Sequence, residues 1–339
     1  MRLARIGAAV AALLLAALAP AQAADFTPPP LKGPAPWTDK AFDDAPGDFA
    51  FAVVTDLESG YRNGVFDVAV ADLALLHPAF VITVGDQIEG GTEDEAQIDK
   101  EWTQFDARLG GLSAPYFHVG GNHDLTSLAQ RRVWERRYGP RYYHFSYKGV
   151  LFLVLDTEDY SEARMAEIYR MRDDYLKLVD KDPAAAAKLP YASLLEAKVG
   201  EIGEAQSAYF EGVIAANPKA RWTVLLMHKP VWRRPGPGGL GRIEAALKGR
   251  DYTLLNGHIH RYSHTTRDGH DYITLGTTGG GWADNATPGA FDHIMWVSVT
   301  QAGPSIANLR LDGVLDKTGK IPAGGEALCL SLHGPNCGK

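Results

Sequence analysis

The chain has 339 residues, of which 45% are hydrophobic, and a formal net charge of -7. This length is enough for one large domain or two smaller ones, with a substantial core. Because the chain is acidic and shows no basic stripe, its composition argues against nucleic-acid duplexes or anionic membranes as the main partners.

Residues 1–23 have the features of a secretory signal peptide. Arg2 and Arg5 give a positive start, an uncharged apolar stretch follows, and Ala21–Ala23 fits a small-x-small cleavage pattern. A membrane-anchoring helix is the alternative, but the apolar part is short and rich in alanine, and Pro20 lies near its end. We predict cleavage after Ala23 and a secreted or periplasmic mature protein without a transmembrane anchor.

The next elements alternate between strands and helices. Residues 24–48 are rich in proline and predict an extended lead-in. Apolar periodicity then predicts strands at 49–55, 79–85 and 114–121 and two strands within 142–156, with helices at 64–78, 93–109 and 127–139. This alternation is typical of βαβ units with parallel strands.

The pattern changes in the middle of a predicted domain that spans 49–312. Residues 158–204 are charged and predict a helical insertion or lid. A helix at 203–217 follows, and then mainly strands, at 221–229, 251–258, 270–276 and 291–300.

The tail, residues 313–339, contains the two cysteines of the chain. Cys329 and Cys337 enclose a short loop, and a disulfide between them is expected in an oxidising compartment. Two free thiols are the alternative; metal binding by both is less favoured, although His333 lies between them.

Polar side chains follow five of the apolar strands, where each strand is predicted to end. They are Asp56, Glu58, Asp86, Asn122, His123, Asp124, His228, His258 and His260. Open α/β sheets place their sites in the loops after strand carboxyl ends. Carboxylate, amide and imidazole groups together bind first-row divalent ions, and a carboxylate such as Asp86 can bridge two of them. Two ions about 3.5–4 Å apart can activate a water and clamp a displacement at phosphorus.

Taken singly, these residues also have ordinary structural explanations. Asp56 and Asp86 suit helix N-caps, residues 122–124 suit a turn, and His228 suits a core histidine. The whole series in this order is much harder to explain in that way.

The series Asp-x-x, Gly-Asp, Gly-Asn-His-Asp, His and Gly-His-x-His resembles the calcineurin-like metallophosphoesterase family. The resemblance covers roughly residues 49–262 and the trailing strands, and the pairing of GNHD with a later GHIH is its most specific part. It implies an α/β fold, a four-layer αββα sandwich of two mixed β-sheets flanked by helices, with two divalent metal ions at one edge.

The resemblance also implies roles for the residues. The first metal would take Asp56, Asp86 and His260. The second would share Asp86 and add ligands from Asn122, His228 and His258. His123 matches the family's catalytic histidine, which stabilises or protonates the leaving oxygen, and Asp124 would orient it. A hydroxide that bridges the metals would attack phosphorus, without a covalent enzyme intermediate.

One block departs from the family pattern, which usually reads Asp-x-His where this chain has Asp56-Leu57-Glu58. At i+2, Glu58 is expected to face the same side as Asp56 and to bind the metal in place of the histidine. A glutamate ligand would favour Mn, Mg or Fe(II) over Zn. The alternative is that Glu58 turns away and the first metal is held more weakly.

Four side chains near these blocks are candidate substrate contacts. Arg62 and Arg233 carry guanidinium groups that match phosphate oxygens, and Trp232 and Trp282 offer stacking surfaces. For each of them, an exposed loop without a role is the alternative.

The sequence therefore predicts an exported phosphoesterase with two divalent ions (Mn, Fe, Mg or Zn), acting on phosphate mono- or diesters of a small molecule or protein. A nucleotide or cyclic-nucleotide phosphodiesterase is one alternative, since the tryptophans would suit a base. A non-catalytic metal-binding protein, its activity weakened by Glu58, is the other.

Overall fold

Two β-sheets stacked face to face form the centre of the molecule. The structure, a computed structural model, describes residues 26–38, 48–281, 288–311 and 313–318. The predicted signal peptide, Trp282 and both cysteines lie outside the described residues. Within those residues, no helix combines the length and the apolar character needed to cross a membrane.

The first sheet is mixed, and its parallel half carries three of the predicted site loops. Its described strands lie in the spatial order β13 (Gly313–Asp316), β12 (Gly303–Arg310), β11 (His293–Thr300), β2 (Phe49–Val54), β3 (Val81–Thr83) and β4 (Tyr116–Phe117). β2, β3 and β4 are parallel, so their carboxyl ends reach the same edge, whereas β11, β12 and β13 pair antiparallel.

The second sheet is also mixed and carries the other two loops. Its described strands lie in the order β1 (Phe26–Thr27), β5 (Tyr143–Tyr147), β6 (Val150–Val154), β7 (Trp222–Leu226), β8 (Tyr252–Asn256), β10 (His270–Thr274) and β9 (Ser263–Arg267). β6, β7, β8 and β10 are parallel. β1 lies in the Pro-rich lead-in and pairs antiparallel with β5.

Helices cover the outer faces of both sheets, and four more helices form the inserted segment. The described α-helices are α1 (Val65–Leu76), α2 (Glu95–Arg108), α3 (Asn122–Leu125), α4 (Leu128–Tyr138), α5 (Glu162–Val179), α6 (Pro183–Ala186), α7 (Pro190–Ser193), α8 (Leu195–Val199), α9 (Glu204–Ala216) and α10 (Gly238–Ala246). Short 3-10 helices lie at Leu109–Gly111, directly after α2, and at Val231–Arg233, after β7. Side chains fix the helix starts: Asp94 caps α2, and Ser127 with Gln130 forms a capping box on α4.

Successive side chains of a strand point to opposite faces of its sheet, so each sheet contributes to two cores and the molecule has four layers. In β2, Phe51 and Val53 point into the core between the sheets, whereas Ala52 and Val54 point outwards into a second core. That second core is closed by α1, α2 and α4, and a third, on the far face of the other sheet, is closed by α9 and α10. The predicted αββα sandwich is therefore confirmed.

The region predicted as an insertion contains α5 to α8. Met165 and Ile168 of α5 form a small core with Tyr160, and Leu128 of α4 packs against it. Because α4 directly follows α3 and residues 122–124, this packing places the insertion beside the predicted site.

Candidate metal centre

Loops from both sheets meet at one edge of the sandwich. The residues that they bring there are Asp56 after β2, Asp86 after β3, Asn122 after β4, His228 after β7, and His258 and His260 after β8. Asp56, Asp86 and His228 are buried to 1% exposure or less. Since buried polar groups need partners, this burial points to a built site.

The first group of side chains contains Asp86, His228 and His258. Each offers one ligand atom, and these atoms all lie within 4.8 Å of one another. The Oδ2 atom of Asp86 is 3.1 Å from Nε2 of His228, and Oδ1 of Asn122 is 3.2 Å from the same nitrogen. Asn122 therefore adds an amide oxygen to this group.

The second group contains Asp56, Asp86 and His260, with the same spacing between ligand atoms. Oδ1 of Asp56 lies 3.1 Å from Nε2 of His260. Because Asp86 belongs to both groups, its two oxygens can serve two neighbouring ions.

The backbone is left-handed at four of these residues. The φ angles are 45° at Asp56, 56° at Asp86, 72° at His258 and 53° at His260. A non-glycine residue in this region is strained by roughly 1–2 kcal/mol, and such residues cluster at functional sites. Gly121 is needed nearby because a Cβ there would collide with the carboxylate of Asp86.

Backbone carbonyls orient the three imidazoles. The Nδ1 atom of His228 donates to Val84 O over 2.8 Å, and Nε2 of His258 donates to Ala197 O over 3.0 Å. Nδ1 of His260 donates to Gly281 O. With one nitrogen of each ring held in this way, the other is presented to the site, as in histidines that bind metals.

The charges of the site favour cations. Burial lowers the pKa of His228 and His260, but the facing carboxylates of Asp86 and Asp56 outweigh burial and raise both to about 9. Burial raises the pKa of Asp86, yet His228 and His123 hold it well below its usual range. Without bound metal, these pKa shifts would keep protons between the carboxylates and the imidazoles. A donor set of carboxylates, imidazoles and an amide oxygen fits two divalent ions in their place.

His123 sits on the edge of this centre. Its backbone N–H donates to Oδ1 of Asp86 over 2.8 Å, and its ring Nδ1 donates to Glu89 O over 2.7 Å. The ring is mostly buried, and Nε2 has no hydrogen-bond partner among the described residues.

The contacts of Asp124 differ from those predicted. We expected it to orient His123, but Glu89 O does so instead. Both oxygens of Asp124 accept backbone N–H groups, those of Asp86, Gln87, Ile88 and Gly121, at 2.8 to 3.2 Å. Asp124 therefore fixes the loop that carries Asp86.

Glu58 belongs to neither group of ligand atoms. β2 ends at Val54 and Asp56 is left-handed, so the alternation that would have placed Glu58 beside Asp56 is interrupted. Burial first, and then the charge of Glu89, raise the pKa of Glu58 to about 8. The geometry agrees with the alternative that Glu58 turns away.

The structure gives internal partners to all three of the predicted substrate contacts that it describes. Arg62 pairs with both oxygens of Asp292, at 2.7 and 2.5 Å, and so joins two loops. Trp232 donates to Asn256 over 3.0 Å and packs edge-on against Tyr272. Trp282 lies outside the described residues.

Arg233, the remaining predicted contact, donates to Thr274 Oγ1 over 3.3 Å and is otherwise exposed on a cleft beside the metal centre. The cleft has a volume of about 460 Å³, and its wall includes Tyr175, Tyr191 and Lys198 of the insertion as well as His258. Sequence reasoning missed these insertion residues, because nothing in their local pattern shows that the insertion folds back on the site.

A buried ion pair fixes the insertion to the strand end after β7. Lys229, the neighbour of His228, pairs with Glu158, and both side chains are almost fully buried. Its Nζ atom also donates to Glu196 O over 3.1 Å, next to the Ala197 carbonyl that holds His258. The insertion and the metal centre are therefore directly connected.

Comparisons with known proteins agree with this geometry. The family model for calcineurin-like phosphoesterases matches residues 49–262. A search of proteins with curated descriptions finds no match. Among solved structures, a dimetal phosphatase from Danio rerio is 17% identical, with a TM-score of 0.55 and coverage of 80% of this chain and 99% of that one. A purple acid phosphatase from yellow lupin (Lupinus luteus) seeds is 13% identical, with a TM-score of 0.52 over 80% of this chain and 53% of that one.

A sandwich that brings two groups of metal-binding side chains to one edge defines a dimetal hydrolase of phosphoester bonds. The family model spans well over half of the sequence, and the chain belongs to the calcineurin-like phosphoesterase family. The predicted resemblance is therefore confirmed. At their low identity, the two solved structures support the shared fold.

Proposed function

We propose that this protein is an exported phosphoesterase that uses two divalent ions to hydrolyse phosphate mono- or diesters. The observation that carries the proposal is the pair of ligand groups that share Asp86. Export is supported by the signal-peptide pattern of residues 1–23, which lie outside the described part of the chain.

Two bound divalent ions would supply Lewis acidity and an activated water at neutral pH. Asp86 would hold both, Asp56 and His260 would complete one site, and Asn122, His228 and His258 would complete the other. Since Glu58 is not among these groups, its hardness gives no reason to favour Mn, Mg or Fe over Zn.

His123 would act on the leaving group. Glu89 O fixes one proton on Nδ1, so Nε2 is the nitrogen that faces the leaving oxygen and would give it a proton when the ring carries protons on both nitrogens. The backbone N–H of His123 binds Asp86, which keeps this ring at a constant position relative to the metal ligands.

The test compares monoester and diester hydrolysis by the mature protein. Metal is removed with a chelator and restored separately as Mn, Fe(II), Mg or Zn, and turnover of p-nitrophenyl phosphate and its bis-ester is measured. Monoester turnover alone indicates a phosphatase, and bis-ester turnover indicates a phosphodiesterase.

A matched pair of variants controls this test. His228→Ala should abolish metal-dependent turnover, whereas His144→Ala should not, because His144 bonds Tyr209 away from the site. If no metal restores hydrolysis of either ester by the native chain, the proposed function is wrong. Secretion is tested separately, by sequencing the amino terminus of the protein recovered outside the cytoplasm.

A further inference from the structure

The cleft beside the metal centre has the character of a small-molecule site. Its wall includes the apolar or aromatic side chains of Tyr175, Tyr191 and Ile259, and its volume is about 460 Å³. Small-molecule pockets are mostly apolar and have volumes of roughly 300–1,000 Å³. Because His258 lines the cleft and also belongs to one group of metal-binding side chains, the cleft is continuous with the proposed metal centre.

Two tyrosines of the insertion form an aromatic wall. The rings of Tyr175 and Tyr191 have centroids 5.5 Å apart and are inclined by 44°. Arg172 donates a hydrogen bond to the hydroxyl oxygen of Tyr191, and the side chain of Tyr191 packs on the small core around Met165. Tyr191 is therefore held on two sides. A wall that is fixed in this way can bind a flat organic group with little further ordering.

Ile259 adds a second apolar surface. It is 38% exposed, although it lies between two proposed metal ligands, His258 and His260. A single exposed isoleucine would need no explanation, but this one shares its cleft with Tyr175 and Tyr191. The three side chains together would bury an apolar or aromatic group of a ligand.

The charged side chains of the cleft are cationic. Lys198 and Arg233 line it, and both are exposed. None of the described residues that line the cleft is a carboxylate. In a bound ester the phosphoryl group would lie at the metal ions, so these two cations are left to attract a further negative charge on the organic group. Charges placed in this way contribute mainly to selectivity.

We propose that this cleft is the subsite for the organic part of the ester, and that it takes an aryl group with a further anionic substituent. The inference rests on the proposed function for the position of the phosphoryl group. It adds that the insertion, through Tyr175, Tyr191 and Lys198, selects the substrate.

Three phosphonates test the proposal without hydrolysis, because their carbon–phosphorus bond is not an ester. They are methylphosphonate, benzylphosphonate and para-carboxybenzylphosphonate, and calorimetry follows their binding to the manganese-loaded protein. The ring should tighten binding about 10-fold over methylphosphonate, as expected for a buried aromatic contact. The carboxylate should tighten it by a further factor of about 2 to 5, as expected for an exposed ion pair. Only the effect of the carboxylate should disappear as the NaCl concentration is raised.

Variants assign these two effects to side chains. Tyr175→Ala should remove most of the effect of the ring, and Lys198→Gln should reduce the effect of the carboxylate. Both variants should bind manganese and methylphosphonate as the native chain does. Tyr175→Leu, which keeps an apolar side chain, gives the same test if alanine weakens the fold. Leu176→Ala and Lys188→Ala are the matched controls, because both side chains are exposed in the insertion and neither lines the cleft.

The proposal is overturned if the native chain binds the three phosphonates within about twofold of one another. It is overturned as well if the Tyr175 variants keep the effect of the ring at the level of the Leu176→Ala control. An effect of the ring without an effect of the carboxylate overturns the assignment of an anionic substituent.

Failure of this inference and failure of the proposed function give different results. A native chain that shows both effects but hydrolyses no ester contradicts the function and supports the inference. A chain that hydrolyses esters but binds the three phosphonates alike contradicts the inference alone.

Discussion

Asp124→Asn should loosen the loop that carries Asp86. Each oxygen of Asp124 accepts two backbone N–H groups, so the amide of asparagine would turn its NH₂ towards two buried donors. Each unsatisfied buried donor costs about 1–3 kcal/mol. Burial and the charge of Asp86 raise the pKa of Asp124 to about 6, so losing the carboxylate also relieves repulsion. We expect a net loss of about 1–3 kcal/mol in unfolding free energy and metal affinity about 10- to 100-fold weaker.

The control for this change is Asp94→Asn at the start of α2. Asp94 also accepts two backbone N–H groups, but both bond to Oδ1, which asparagine keeps as its carbonyl oxygen. Asparagine is as good an N-cap as aspartate, so little change is expected. Urea unfolding of the metal-free protein and titration with Mn give both quantities. Equal midpoints and equal metal affinities for the two variants would refute the idea that Asp124 holds Asp86 in place.

Two further predictions concern His123 and the protons of the metal-free centre. His123→Ala should reduce turnover strongly while the metal content, measured by elemental analysis, stays unchanged, because its ring is bonded to Glu89 O and not to the ligand groups. Metal loading at pH 7 should release protons from His228 and His260, whose pKa is raised to about 9, and affinity should fall as pH drops below 9. In the metal-free protein the same protons stabilise the fold fully below pH 6.5, and this contribution is lost as pH rises through 9.

Each of these two predictions has an outcome that contradicts it. Loss of metal from His123→Ala would make His123 a ligand or a support of one. Calorimetry in buffers of different ionisation enthalpy that detects no proton release at pH 7 would show that His228 and His260 are already neutral before the metal binds.

Strong apolar patterns made most of the sandwich predictable. The buried strands β2 and β6 are continuous apolar runs, β7 and β8 are mostly apolar, and each of the four lies within its predicted range. β9 was missed because Ser263–Arg267 is a polar edge strand with no apolar signal. α10 was missed because its first turn contains Gly238, Gly239 and Gly241, which are poor helix formers.

The site was predictable where it depends on strand ends and unpredictable where it depends on the loops beyond them. Asp86 and His228 lie just past parallel strands, so sheet topology alone brings them together. Glu58 and Asp124 depend on the left-handed turn at Asp56 and on a tight helical turn, neither of which a strand pattern reveals. The insertion residues of the cleft, Tyr175, Tyr191 and Lys198, depend on how the insertion packs against the body of the protein, which is a tertiary property.

The left-handed backbone at Asp56, Asp86, His258 and His260 has a consequence for protein engineering. Glycine is the residue that this conformation prefers, so a search for stabilising substitutions guided by backbone preference alone would select the very positions proposed to hold the ions. A variant obtained in that way would gain stability from the relieved strain and lose the side chains of the proposed metal centre.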